Sequence, residues 1–118
     1  MIKKVAWVVT GAGHFLWECI DVIAEYKSDI NLFVSRAGLE VIKVYGLYDH
    51  LLRESIDIVN DQSASSASCG AFAAGRYSVL VIAPATSNTV AKCALGIADS
   101  LPTNLFAQAG KSKVPIVV

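Results

Sequence analysis

The segment VAWVVTGAGHF, residues 5–15, joins a continuous apolar run to a glycine-rich turn. Five consecutive apolar residues without polar alternation are typical of a strand that is buried on both faces, as in a parallel sheet. From residue 15 to residue 24, apolar side chains recur at helical spacing, with carboxylates on the opposite face. The segment therefore predicts a strand, a tight turn and an amphipathic helix that packs on a sheet.

The same alternation continues along the chain. The pattern predicts three further strands, in INLFV (30–34), SVLVIAP (78–84) and VPIVV (114–118). A helix follows INLFV, with Val41, Ile42 and Tyr45 facing inward and Gly46 as a plausible C-cap. The helix after SVLVIAP carries Val90, Ala94 and Ile97 on one side. Another helix is expected to start at Ser100 with a proline in its first turn.

Two stretches are less clear. Residues 47–59 combine a helical pattern with a short extended piece, IDIV. Residues 60–75, NDQSASSASCGAFAAG, are rich in serine, alanine and glycine, which fits either a mobile connection or a loop folded over a ligand.

Apolar strands that alternate with amphipathic helices predict an α/β fold, a parallel sheet with helices on both faces. The 118 residues are enough for one domain, 1–118, and we see no internal linker. Ligands of such sheets bind outside the carboxyl ends of the strands, at the topological switch point. TGAGH (10–14), SRAG (35–38) and PATSNT (84–89) are therefore expected to converge there.

Composition excludes several classes of protein. Ten basic residues balance ten acidic ones without a basic cluster, which argues against a nucleic-acid or anionic-membrane partner. The three cysteines lack metal-ligand or disulfide spacing, so we expect reduced thiols in a cytoplasmic protein. No apolar run approaches the roughly 20 residues that span a bilayer.

The glycine turn fits a phosphate better than NAD. Gly11 and Gly13 permit tight backbone conformations and leave N–H groups free at a helix N-terminus, which favours an anion. A dinucleotide site would also need a third glycine where Leu16 stands, and an acidic residue after the second strand. That strand ends instead in Ser35 and Arg36. An ordinary strand-to-helix connection is the alternative.

PATSNT places three hydroxyls and one amide directly after a buried strand. Such a cluster can donate to and accept from a heterocycle or a phosphate. One of the hydroxyls could serve as an N-cap alone. Four polar residues in a row exceed what a cap requires.

Together TGAGHF, VSRAG and APATSNTVAKCALGIADS (83–100) resemble the FMN-binding flavoproteins with the PASANT signature, the superfamily of cysteine decarboxylases and flavin prenyltransferases. The continuation LPTNLFAQAGKSKVPIVV (101–118) is most similar to the archaeal flavoprotein and dihydromethanopterin reductase branch. Members of the superfamily normally continue past this last strand, so we expect the C-terminus to be truncated.

The resemblance implies a Rossmann-like, flavodoxin-like three-layer sandwich that binds FMN non-covalently, often at a subunit interface of a trimer or larger assembly, although a dimer is also compatible. It implies that Gly11, Ala12 and Gly13 line the flavin site and that Ser35 contacts the phosphate. Thr86, Ser87, Asn88 and Thr89 would wrap the phosphate, the ribityl chain and the ring edge. His14 is expected either to contact the flavin or substrate or to cap the helix.

Departures from the superfamily pattern select among its activities. Asn104 stands where flavin prenyltransferases have a phosphate-binding arginine, so the resemblance implies a cofactor-binding position, while the change of residue argues against a prenyltransferase. The surroundings of His50, YDHLL, do not match the decarboxylase histidine motif. We therefore expect an FMN-dependent oxidoreductase or electron-transfer protein, with ferredoxin or reduced nicotinamide as donor and a pterin as a candidate acceptor. The alternatives are a cysteine decarboxylase, a non-catalytic flavin carrier and a phospho-ligand-binding domain.

Overall fold

The computed structural model describes residues 3–60 and 67–118, and for residues 67–69 it describes the backbone alone. The strands are β1 (Lys4–Val9), β2 (Ile30–Val34), β3 (Ile58–Val59), β4 (Tyr77–Ile82) and β5 (Ile116–Val117). The helices are α1 (Leu16–Glu25), α2 (Arg36–Val44), α3 (Tyr48–Arg53), α4 (Ala67–Ala73), α5 (Ser87–Leu95) and α6 (Leu101–Lys111).

All five strands are parallel and lie in the order β3-β2-β1-β4-β5. The chain therefore builds the sheet outward from β1 in one direction and then crosses to the other side of β1 for β4 and β5. The strand order reverses between β1 and β4, and this is the topological switch point at which such sheets bind ligands. The predicted fold class, a Rossmann-like and flavodoxin-like α/β sandwich, is confirmed.

Each face of the sheet is covered by an apolar core. Leu16, Ile20 and Ile23 of α1 join Ile42 of α2 and Leu51 of α3 on one face. On the other face, α4 and α6 pack against β1 and β4. Burial on both faces explains why the sequences of the central strands are unbroken apolar runs and do not alternate between apolar and polar residues. The result is three layers.

The sequence predicted most element positions well. The bounds of β2 match the prediction, and residues 47–59 resolve into α3 and β3. Gly46 follows the C-cap of α2 with a φ of 71°, while Gly46 N donates to Lys43 O and Leu47 N donates to Ile42 O, which makes a Schellman motif. Ser100 is the N-cap of α6, with Pro102 in its first turn, as expected.

Other expectations need correction or fall outside the described residues. Tyr45, predicted to face the core, is about half exposed. Val90 and Ala94, which the sequence places on one side of α5, are also exposed. In the serine- and alanine-rich segment, residues 67–73 form α4, whereas the expectation of a mobile or ligand-covering loop over 61–66 lies outside the described residues.

Among the residues that the structure describes, no helix is long and apolar enough to cross a membrane.

Candidate functional site at the strand switch point

A cleft of about 380 Å³ opens where β1 and β4 end. Turns after β1, β2 and β4 all contribute to its lining, so the three segments predicted to converge do so. The predicted residues that line it are Gly11, Ser35, Thr86, Asn88 and Thr89. Its lining also includes Arg36, Ala37, Lys92, Asp99, Ser100 and Pro102.

Three helices point their N-termini at this cleft, and their N-caps Ser35, Thr86 and Ser100 all line it. The Ser35 hydroxyl accepts a hydrogen bond from Gly38 N at 2.9 Å, and the Thr86 hydroxyl accepts one from Thr89 N at 3.1 Å. The first N–H groups of a helix have no intrahelical acceptor, and the helix dipole places partial positive charge there. Three such ends around one cleft favour an anionic ligand.

The hydroxyl cluster after β4 is thus partly structural. Thr86 both caps α5 and donates its hydroxyl hydrogen to Thr89 Oγ1 at 3.0 Å. Thr89 is buried and keeps its own hydroxyl hydrogen for another acceptor. Asn88 lines the cleft from the first turn of α5 and is exposed, so its amide can meet a ligand.

Two basic side chains line the cleft, and one of them is paired with a carboxylate that also lines it. Lys92 is one turn beyond Asn88 on α5, and its Nζ lies 2.9 and 3.1 Å from the two carboxylate oxygens of Asp99. Arg36 is exposed at the start of α2 and forms no ion pair with any described residue. Sequence reasoning missed Lys92 as a lining residue, although its helical spacing from Asn88 was a usable signal.

The glycine turn serves close packing rather than an unusual backbone conformation. Neither Gly11 nor Gly13 is among the glycines with a positive φ. A Cβ at Gly11 would lie 2.7 Å from the Cβ of Ala37, so glycine lets the turn approach α2. A Cβ at Gly13 would meet the Tyr45 ring. Both glycines thus lie against other parts of the protein, Gly11 against a helix and Gly13 against a half-exposed side chain.

Leu16 occupies the place of the third fingerprint glycine and is fully buried in the core. Helix α1 thus packs on the sheet through a leucine side chain. The close approach of helix and strand occurs instead at Gly38 of α2, where a Cβ would clash with Val9 O. This contact places the N-terminus of α2 directly beside the end of β1.

His14 does not cap α1, since the N-cap residue is Phe15, which has a φ of 64° and makes no capping bond with its side chain. The rings of His14 and Phe15 lie 4.0 Å apart between centroids, and both residues are exposed. A non-glycine residue with positive φ is uncommon and is concentrated at functional sites.

The remaining predicted residues are near the cleft without lining it. Ala12, Gly13 and His14 belong to the β1–α1 turn, and Ser87 is exposed in the first turn of α5. Asn104 is buried in α6, one turn after Ser100. His50 lies on α3 and does not line the cleft either.

The two described cysteines have raised pKa values, and the described side chains do not form a metal site. Burial raises the pKa of the Cys93 thiol, and burial together with the Glu18 carboxylate raises the pKa of Cys19. Both thiols are therefore protonated at neutral pH. Among the side chains that the structure describes, no group of three or more His, Cys, Asp or Glu could hold a metal ion.

Comparison with known proteins places this architecture in a family. A family model described as Flavoprotein matches residues 1–118. The chain belongs to the Flavoprotein family. This confirms the resemblance that was inferred from the three motifs.

Two curated relatives of this flavoprotein carry a more specific name than the family does. A dihydromethanopterin reductase (acceptor) of Methanosarcina mazei is 44% identical over an alignment of 128 positions. The alignment covers 98% of this chain and 54% of that protein. A reductase of the same name from Methanocaldococcus jannaschii is 42% identical over 127 residues, or 98% and 52% of the two chains. The chain thus spans about half the length of these curated relatives.

Among solved structures, Burkholderia xenovorans DmrB in complex with FMN is similar throughout the described fold. It superposes with a TM-score of 0.87 at 48% identity, covering 97% of this chain and 63% of the other. That protein is described as a cubic protein cage for redox transfer.

Proposed function

We propose that this chain is the FMN-binding part of an oxidoreductase that reduces a pterin. The observation that carries the proposal is the convergence of three helix N-termini and the guanidinium of Arg36 on one cleft at the switch point. A cleft with this positive charge suits a flavin that carries a phosphate. The relatives named dihydromethanopterin reductase and the FMN complex of DmrB support both the cofactor and the reaction class.

The residues present fit FMN. The cleft volume of about 380 Å³ lies within the range of about 300–1,000 Å³ that is common for small-molecule sites. FMN has a single phosphate and no adenosine ribose, which agrees with Ser35 and Arg36 standing where a dinucleotide site has an acidic residue. The N–H groups at the start of α2 and the guanidinium of Arg36 would hold that phosphate.

The other contacts are assigned by position. Gly11, Ala12 and Gly13 would pass beside the flavin ring, and Ser87 and Asn88 would offer N–H and amide groups at the start of α5. Thr89 would donate its remaining hydroxyl hydrogen. Asn104 and His14 would complete the site from α6 and from the β1–α1 turn. When bound, the flavin supplies hydride or single-electron exchange, while these residues position it and exclude water.

The electron donor is proposed to be ferredoxin or reduced nicotinamide, and the functional unit is proposed to be a homo-oligomer. Apolar side chains exposed on α5 and just after it support self-association, since Leu95 is 76% exposed and Val90 and Ile97 are each more than 40% exposed. The cage formed by DmrB is consistent with this.

An anaerobic redox assay tests the function. The purified full-length protein is expected to show bound flavin that bleaches with dithionite, and then to oxidise again on addition of a dihydropterin, with formation of the tetrahydropterin. Bleaching by a ferredoxin reducing system or by reduced nicotinamide identifies the donor. Reduced flavin that persists in the presence of the pterin would contradict the proposed reaction and leave the carrier or decarboxylase alternatives.

A further inference from the structure

Thr10 links the two loops that flank the switch point. It follows β1 directly and is only 1% exposed. Its backbone N donates to Pro84 O at 3.1 Å, and its hydroxyl donates to the same oxygen at 2.7 Å. The same hydroxyl accepts a hydrogen bond from Thr86 N at 2.9 Å.

These bonds lie beyond the end of the strand pairing. The β1–β4 register ends at Val8 and Ile82, and the last backbone bond of this ladder runs from Ala83 N to Val8 O at 3.0 Å. Past this point the two segments of the chain diverge, one into the β1–α1 turn and the other into the N-terminus of α5. In the described part of the chain, the hydrogen bonds of Thr10 are what joins the two loops thereafter.

We propose that Thr10 is a positioning residue for the cofactor. By fixing the amide of Thr86, the N-cap of α5, it sets the distance between Gly11 and the start of α5, both of which line the cleft. Thr10 itself does not line the cleft, so it acts through Thr86. The inference rests on the proposed function, because it assumes that the cleft holds FMN.

The geometry requires a hydroxyl at this position. A hydroxyl donates one hydrogen bond and accepts another, and Thr10 uses both capacities. Valine has nearly the same shape but leaves Thr86 N and Pro84 O with one bond fewer in a buried place. Serine keeps the hydroxyl and loses only a methyl group.

Binding of FMN to full-length variants tests the proposal. Thr10→Val is expected to raise the dissociation constant of FMN about tenfold and to change the visible circular dichroism of the bound flavin. Thr10→Ser should restore both to within about threefold of the wild type. Ser78→Ala is the matched control. The Ser78 hydroxyl donates to Lys4 O at 3.4 Å and so joins the same two strands at their other, amino-terminal ends.

Amide hydrogen exchange gives a second measurement that needs no folded variant. In the FMN-free wild type, the amide of Thr86 should exchange more than about tenfold more slowly than those of Ser87 and Asn88, which have no intrahelical acceptor. Equal exchange at the three amides would overturn the role of Thr10 even if Thr10→Val fails to fold.

The outcomes separate this inference from the proposed function. Equal affinity and equal dichroism in the wild type and Thr10→Val overturn the positioning role alone. A loss that serine does not restore also overturns it, because the hydroxyl is then irrelevant. A wild-type protein that does not bind FMN overturns the proposed function and this inference together.

Discussion

At the scale of single residues, small side chains decide how closely the loops of the cleft can approach. The sequence singled out Gly11 and Gly13 as part of a phosphate-binding turn, but it did not indicate which neighbours lie against them. Their importance comes from neighbours that are distant in sequence, Ala37 and Tyr45. Contacts of this kind depend on tertiary packing, and the local pattern of the chain does not contain them.

Gly38→Ala is expected to destabilise the protein by about 1–3 kcal/mol, because the new Cβ would meet Val9 O, a backbone atom that cannot move aside cheaply. Gly110→Ala is the control. Gly110 lies in α6 with open space around its Cβ, so alanine there should stabilise by roughly 0.5–1 kcal/mol. Urea unfolding of both variants checks the pair. Equal stability of Gly38→Ala and the wild type would contradict the close approach.

The two described cysteines should react slowly with iodoacetamide at pH 8. Their raised pKa keeps both thiols protonated, and alkylation needs the thiolate. A thiol pKa that is higher in the folded state also means that stability is present below the unfolded pKa and declines as pH rises beyond it. Mass spectrometry of the peptides containing Cys19 and Cys93 measures the rates. Alkylation as fast as that of free cysteine at pH 8 would show that burial does not protect them.

At the scale of elements, the N-terminus of α2 combines a structural task with a proposed binding task. Ser35 caps the helix and lines the cleft. Ser35→Asp should keep the cap, so the free energy of unfolding should change by less than about 0.5 kcal/mol. The added carboxylate should repel the FMN phosphate and weaken FMN binding by about tenfold or more.

Ser35→Asn is the matched control for this variant, because asparagine caps helices as well and has the shape of aspartate without its charge. Titration calorimetry with FMN and thermal unfolding of both variants separate the two tasks of Ser35. If aspartate and asparagine weaken FMN binding equally, the α2 N-terminus does not hold the phosphate.

The order and type of the elements could be predicted from the sequence because apolar periodicity and capping residues are local signals. Unbroken apolar runs gave the central strands, and Ser100 with Pro102 marked the start of α6. The partner of Lys92 could not be predicted, since Asp99 reaches it only after the chain turns between α5 and α6. The same holds for Thr10, whose partners are more than 70 residues away.

At the scale of the whole molecule, the exposed apolar side of α5 is the feature that the isolated fold leaves unexplained. Val90→Glu combined with Leu95→Glu should lower the molar mass of the assembly in solution, because charged side chains are costly to bury at an interface. Val44→Glu on α2 is the control, since Val44 is 81% exposed but lies on another helix. Light scattering coupled to size exclusion measures the mass. An unchanged assembly in the α5 variant would place the contacts elsewhere.

We propose that the cleft between the ends of β1 and β4 holds FMN through its phosphate. The most direct test compares the dissociation constants of FMN and riboflavin for the same full-length protein. Three helix N-termini and Arg36 predict that FMN binds at least about a hundredfold more tightly than riboflavin, a preference that weakens as salt is added. Equal affinity for the two flavins, or no affinity for FMN, would contradict this account of the site.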